Sequence, residues 1–265
     1  MFKRLLNDSL SLVFGNLDAV FKVAGSWFVL QFVLSIAILT LTGQMPEEIG
    51  EAAPSATTFL LSITMLVLFV LSSSSIGVAW HRFGLLGEHP QTIHLKYGKT
   101  ELAFTLQLLK IFLISFLVML PVGVIFALVS MAVSEIVGLA LLVILFLFVV
   151  LPRLMRLNLI LPAAAVERPL TLKEAYALGD SLGWKMLWAT IVLSLPFSLV
   201  SVGLQFILSM VGGGLPVFLI QMKVMILNVL LQIIFTVLAI SVITAGYRIA
   251  MERVQNSGGG GANGA

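Results

Sequence analysis

Long apolar runs alternate with short polar segments along this chain, and the run lengths decide the reading. Apolar stretches cover residues 25–41, 59–80, 102–131, 136–152, 186–210 and 225–247. Each is near or above the roughly 20 helical residues that cross a bilayer. Hydrocarbon offers the backbone no hydrogen-bonding partners, so spans of this kind must be helices. The pattern predicts an all-α, polytopic membrane helix bundle. Its six transmembrane helices form three hairpins within a single membrane domain, residues 1–253.

The polar segments differ among themselves. Over residues 2–24, Phe2, Leu5, Leu6, Leu10, Val13, Leu17, Val20 and Phe21 recur at helical spacing, with Lys3, Arg4, Asp8, Asp18 and Lys22 between them. That split predicts an amphipathic helix in the headgroup plane, apolar side down. A second interfacial helix is expected over residues 171–183. There Thr171-Leu172-Lys173-Glu174 has the form of a capping box, and Leu172, Ala175, Tyr176, Gly179 and Leu182 share a face. Residues 81–101 read as a polar, basic loop. Residues 42–58 carry Glu47, Glu48 and Glu51 with no Lys or Arg. Gly212, Gly213, Gly214 and Pro216 predict an outer turn, and the Gly-rich tail, residues 254–265, is expected to be disordered. Ser72 to Ser75 offer a small surface for close helix approach. Pro121 predicts a kink, because it leaves a backbone carbonyl that a neighbour or a local rearrangement must satisfy.

Composition supports lipid as the solvent. The chain is 60% apolar and 10% charged, against about 45–50% and about 25% in soluble domains. A net charge of +3 would suggest nucleic acid in a soluble protein. Of the 15 Lys and Arg, however, only Lys223 falls on the side of the acidic first loop. The positive-inside rule accounts for the excess, removes nucleic acid as a partner and predicts both termini in the cytoplasm. The absence of cysteine excludes disulfides and thiolate chemistry. Asp8 and Asp18 interrupt the first segment, which is expected to be retained rather than cleaved as a signal.

An internal repeat is visible. Arginine follows the second, fourth and sixth spans: Arg82, Arg153 with Arg156, and Arg248. Two of these sites continue to Glu-x-Pro, at Glu88-His89-Pro90 and Glu167-Arg168-Pro169. A glycine then precedes the next span, at Gly98 and Gly183, with Gly25 in the same place before span one. The plan of interfacial segment, span, outer turn and span recurs three times.

Pro162-Ala163, Glu167, Glu174-Ala175 with Ser181, and Gly183-Trp184 lie in one stretch of about 30 residues. In this order they resemble the membrane domain of bacterial glycerophosphoryl diester phosphodiesterases and the YciC-like inner membrane proteins. The run from Trp80 to Glu88 is similar to related membrane proteins. The resemblance implies a six-helix module of the bacterial inner membrane and no catalytic residue. In the phosphodiesterase relatives, chemistry belongs to a separate soluble barrel domain.

The side chains agree with a non-enzymatic reading. His81, His89 and His94 sit eight and five residues apart, a spacing that matches no metal-ligand pattern, and they are expected to be solvated at the interface. No cofactor is expected. Gln31, Gln107, Asn158, Gln205, Asn228 and Gln232 are the polar residues within spans, where such groups bond neighbouring helices or line a path. Lys110, Glu135 and Lys223 lie toward span ends, which disfavours an ion-coupled pump. Arg82, Arg153, Arg156 and Arg248 are the candidate site. They either anchor the spans topologically or bind an anionic phospholipid headgroup, since guanidinium meets phosphate with two parallel hydrogen bonds. The expected function is that of an accessory or scaffolding membrane protein that engages lipids or another membrane protein complex. The alternative is a passive or facilitative transporter of a small solute or lipid, using Pro121, Pro152, Pro196 and the polar faces of spans five and six.

Overall fold

Six helices are long and apolar enough to cross a membrane in the computed structural model, which describes residues 1–42, 56–211 and 217–259. The chain is an all-α, multi-pass membrane bundle, and no strand occurs among the described residues. The elements are α1 (Phe2–Phe14), α2 (Leu17–Thr42), α3 (Ala56–Leu86), α4 (Lys99–Ala132), α5 (Glu135–Leu145), α6 (Leu151–Leu157), α7 (Ile160–Ala165), α8 (Leu172–Leu178), α9 (Gly183–Val211) and α10 (Val217–Gly259). A π-helical turn, Phe146–Val150, joins α5 to α6.

The helix expected over residues 2–24 is two helices. The Asn16 side-chain amide donates to the Leu12 carbonyl at 2.9 Å. That carbonyl is the one a continuing helix would give to the Asn16 backbone N–H, which turns instead to Val13. Residues 17–24 therefore begin the first span. The apolar side of α1 also faces protein rather than lipid. Leu5 and Val13 are 1% and 0% exposed, against α9 and α10. Periodicity reports that a face is buried but cannot say whether lipid or protein buries it.

The spans outrun their apolar cores. α3 continues through His81 and Arg82 to Leu86, and α4 starts at Lys99, so the non-helical part of the expected 81–101 loop is residues 87–98. The capping box at Thr171 forms. Thr171 N–H and Oγ1–H both donate to Glu174 Oε2 at 2.8 Å, and Glu174 N–H donates back to Thr171 Oγ1. The helix it starts ends at Leu178, because residues 179–182 form a turn with Ser181 at φ 60°. α10 runs to Gly259, so residues 254–259 of the expected disordered tail are helical. Residues 260–265, the loop with Glu47, Glu48 and Glu51, and the turn at Gly212, Gly213, Gly214 and Pro216 lie outside the described residues. α4 and α9 continue as helices through Pro121 and Pro196. At Pro152, which has no N–H to give the preceding turn, the ladder widens into the π-helical turn instead.

The helix contacts repeat with a period of one hairpin. The second members of the hairpins, α3, α5–α7 and α10, touch one another. Each first member packs on its own partner and on the second member of the preceding hairpin. Thus α4 lies on α7 and α3, α9 lies on α10 and α6, and α2 lies on α3 and α10. The last relation closes the cycle between the first and third hairpins, so the repeat in sequence is a pseudo-threefold arrangement in space.

Burial is concentrated at the end of the bundle that carries both termini and most basic residues. Along α3, none of the residues from Phe59 to Leu71 is buried, whereas Ser74 to His81 form an unbroken buried run. α10 is similar, with its buried residues, among those described, at Ile233 and beyond. The opposite halves present Phe59, Leu66, Phe112, Phe116, Leu128, Ile136 and Leu199 outward, as lipid-facing surfaces should.

Candidate functional site at the basic end

In lipid, apolar burial does not drive helices together, so close packing and interhelical hydrogen bonds must. Both are found at the basic end. Trp80 Nε1 donates to Ser241 Oγ at 2.7 Å, and His81 Nδ1 lies 2.9 Å from Thr244 Oγ1. The Thr244 hydroxyl gives its one proton to the Ile240 carbonyl, so His81 Nδ1 is the donor of that pair. These two bonds fasten α3 to α10. The serine run on α3 faces three directions. Gln31 Nε2 on α2 donates to Ser72 Oγ at 2.7 Å, Thr105 Oγ1 on α4 approaches Ser74 Oγ at 2.7 Å, and Ser75 Oγ donates to the Lys96 carbonyl at 2.7 Å.

Of the three histidines only His89 is exposed, as expected. His81 and His94 are buried, and the His89 ring meets the Phe83 ring at 5.7 Å. His81 is covered because α3 continues past the apolar core and crosses α10 there. His94 is covered because residues 93–98 fold back over the serine run. Burial holds the His94 pKa below its ordinary value, against the opposing pull of Glu101, and its Nε2 has no hydrogen-bond partner. Among the described residues, no group of three or more His, Asp or Glu could hold a metal ion.

The four arginines do not share one site. Arg82 forms a two-bonded pair with Glu88 at 2.8 and 2.7 Å, and its Nη1 donates to the Ala165 carbonyl at 3.1 Å and to Glu167 Oε1 at 3.2 Å. The pair holds the Glu88 carboxyl below the usual carboxylate range. Glu167 also accepts from Thr100 Oγ1 at 3.1 Å. The two Glu-x-Pro glutamates therefore meet on one guanidinium. Arg156 binds Asp180 at 3.0 Å and lies over the Tyr176 ring. Arg248 binds Asp8 at 2.7 Å, while Arg4 reaches both Asp8 and Glu252. Arg153 differs from these three. Its Nη1 donates to the Val149 carbonyl of the preceding π-helical turn at 2.6 Å, and no carboxylate meets it among the described residues.

These pairs follow the threefold plan. The arginine ending each hairpin bonds an acid in the segment before the next: Arg82 with Glu88, Arg156 with Asp180, and Arg248 with Asp8 across the chain ends. The arginines were legible from sequence, but their acid partners were not, since nothing local marks Asp8 as a neighbour of residue 248. Glu101 was also missed. It is 2% exposed and accepts the Gly98 N–H at 2.8 Å, and its only sequence signal is a position three residues after the glycine.

Besides Gln31, two of the polar residues within spans bond between helices or to their own helix. Asn228 Oδ1 on α10 accepts from Ser201 Oγ on α9 at 3.3 Å, and the Asn158 amide turns to Met155 Sδ on its own helix. Gln232 is exposed, and Gln107 Oε1 is buried without a partner. The Gln205 side chain lies outside the described residues. A crevice between α9 and α10, lined by Thr190, Leu193, Ser194, Phe235, Leu238, Ala239 and Val242, is too narrow to hold a water molecule. No family model, curated protein or solved structure matches the chain.

Proposed function

We propose that the protein is a non-enzymatic accessory or scaffolding subunit of the bacterial inner membrane. In this reading both termini are cytoplasmic, and the basic end engages membrane lipids or a partner complex. The observation that carries the reading is the concentration of packing, ion pairs and cations at that one end, while the opposite halves of the helices offer lipid-facing apolar surface. A rigid, charged end on a lipid-embedded base suits a docking role. The transporter alternative draws less support, because Asn228 bonds across to α9 and the crevice at Thr190 and Phe235, between the same two helices, is closed to water.

The test is mild detergent extraction from the native membrane followed by native mass spectrometry. Bound phospholipid or a defined protein partner is expected. A chain that emerges alone, without lipid or partner, refutes the accessory reading.

A further inference from the structure

Three of the four candidate arginines already spend their guanidinium on a carboxylate, which leaves Arg153 as the exception. It is exposed at the basic end of span four, and one Nη1–H is directed at the Val149 carbonyl. A guanidinium carries five N–H donors, so most of its fork remains available.

Its surroundings are those of a lipid headgroup seat. Gly183 lies so close to Pro152 that an added Cβ would stand 2.3 Å from the Pro152 carbonyl oxygen. The same added carbon would stand 2.9 Å from Arg156 Cγ, so the start of α9 packs on the Pro152–Arg156 turn that carries Arg153. The Trp184 ring then meets the Phe148 ring at 5.6 Å, and Trp188 sits one turn deeper on the same face of α9. Trp184, Trp188 and Phe148 are 37%, 48% and 53% exposed, and among the described residues neither indole N–H has a partner. Indoles of this kind, with an apolar body and a polar tip, prefer the headgroup level. Lys185, next to Trp184, has only the Met1 sulfur, at 3.6 Å, among the described residues.

We propose that Arg153, Trp184, Trp188 and Phe148 form a binding site for one anionic phospholipid of the surrounding bilayer. The phosphate meets the free edge of the Arg153 guanidinium in a two-bonded contact, and the acyl chains run along Trp188 and Phe148. The proposal rests on the lipid-engaging reading above and narrows it from four arginines to one.

The test reconstitutes the full chain into vesicles of phosphatidylcholine with brominated phosphatidylglycerol, and into matched vesicles where the phosphatidylcholine is brominated. Tryptophan quenching is then read. Trp27 and Trp80 are buried, so Trp184 and Trp188 dominate the signal. The wild type should prefer phosphatidylglycerol by on the order of tenfold, the worth of one charged hydrogen-bonded contact. Arg153→Gln should bring the preference close to one, Arg153→Lys should retain part of it, and Arg82→Gln and Arg248→Gln should leave it unchanged. Loss of monodispersity in Arg153→Gln leaves Arg153→Lys and the two control variants to decide. A wild-type preference that Arg153→Gln preserves, or that Arg82→Gln removes equally, overturns the site while the lipid-engaging reading stands. Tryptophans shielded from both brominated lipids place a protein at this face and also overturn it. A wild type with no preference, and no lipid retained on extraction, removes both.

Discussion

Glu167 occupies a position that glycine normally fills, and exchanging it separates two opposing contributions to stability. α7 ends in a two-bond C-terminal cap, with Arg168 N–H donating to the Ala163 carbonyl at 2.9 Å and Glu167 N–H to the Ala164 carbonyl at 3.1 Å. That cap needs a left-handed residue next to the helix end, and Glu167 supplies it at φ 59°. A side chain there costs about 1–2 kcal/mol relative to glycine. Glycine's greater freedom in the unfolded chain reduces the net gain from Glu167→Gly to about 1 kcal/mol. Against this stands the Arg82 pair at 3.2 Å, with side chains 26% and 66% exposed. A solvated pair of that kind contributes about 0.2–1 kcal/mol. Glu167→Ala loses the pair and keeps the strain, so it should be destabilised by about 0.2–1 kcal/mol. Glu167→Gly loses the pair and releases the strain, so it should fall close to wild type. The assay is the midpoint of heat-induced loss of monodisperse protein in one detergent. The glycine variant should lie about 2–4 °C above the alanine variant. An alanine variant equal to or above the glycine variant would refute the left-handed assignment and the argument built on it.

Two other substitutions in the same assay test the packing at the hairpin junctions. Gly183→Ala must push α9 off the Pro152 carbonyl, which a Cβ would approach to 2.3 Å, and should cost about 1–3 kcal/mol. Gly25→Ala, with nothing within 4 Å of the added carbon, should be neutral or stabilising by about 0.5–1 kcal/mol; equal losses at both sites would contradict the packing. His94 predicts an acid sensitivity. Burial lowers its folded pKa, so below the unfolded value of about 6.5 the unfolded chain binds the proton that the folded chain refuses. Stability from this residue is therefore complete above that pH and declines as the pH falls beneath it. Between pH 7.5 and pH 5, His94→Asn should lose less of its unfolding midpoint than wild type, and an identical loss in both would rule out His94 as the source.

Chain pattern by itself determined the solvent, the number of spans, their pairing into hairpins and the basic end. Each follows from run length and charge distribution, which local residues carry in full. The threefold plan was also legible, because Arg82, Arg156 and Arg248 recur at the same point of each hairpin. Tertiary structure alone decided what those arginines do. Asp8 meets Arg248 and Glu167 meets Arg82 only because the hairpins close into a cycle, and sequence separation holds no trace of that closure. It decided what covers the apolar side of α1, since lipid and protein both accept an apolar face. It also decided that His81 and His94 are buried, because α3 continues past its apolar core and residues 93–98 fold back over it, where the sequence alone suggests water. Arg153 stands apart from its three counterparts in the same way: its residue type is identical to theirs, and only the folded structure turns it to the Val149 carbonyl rather than to an acid.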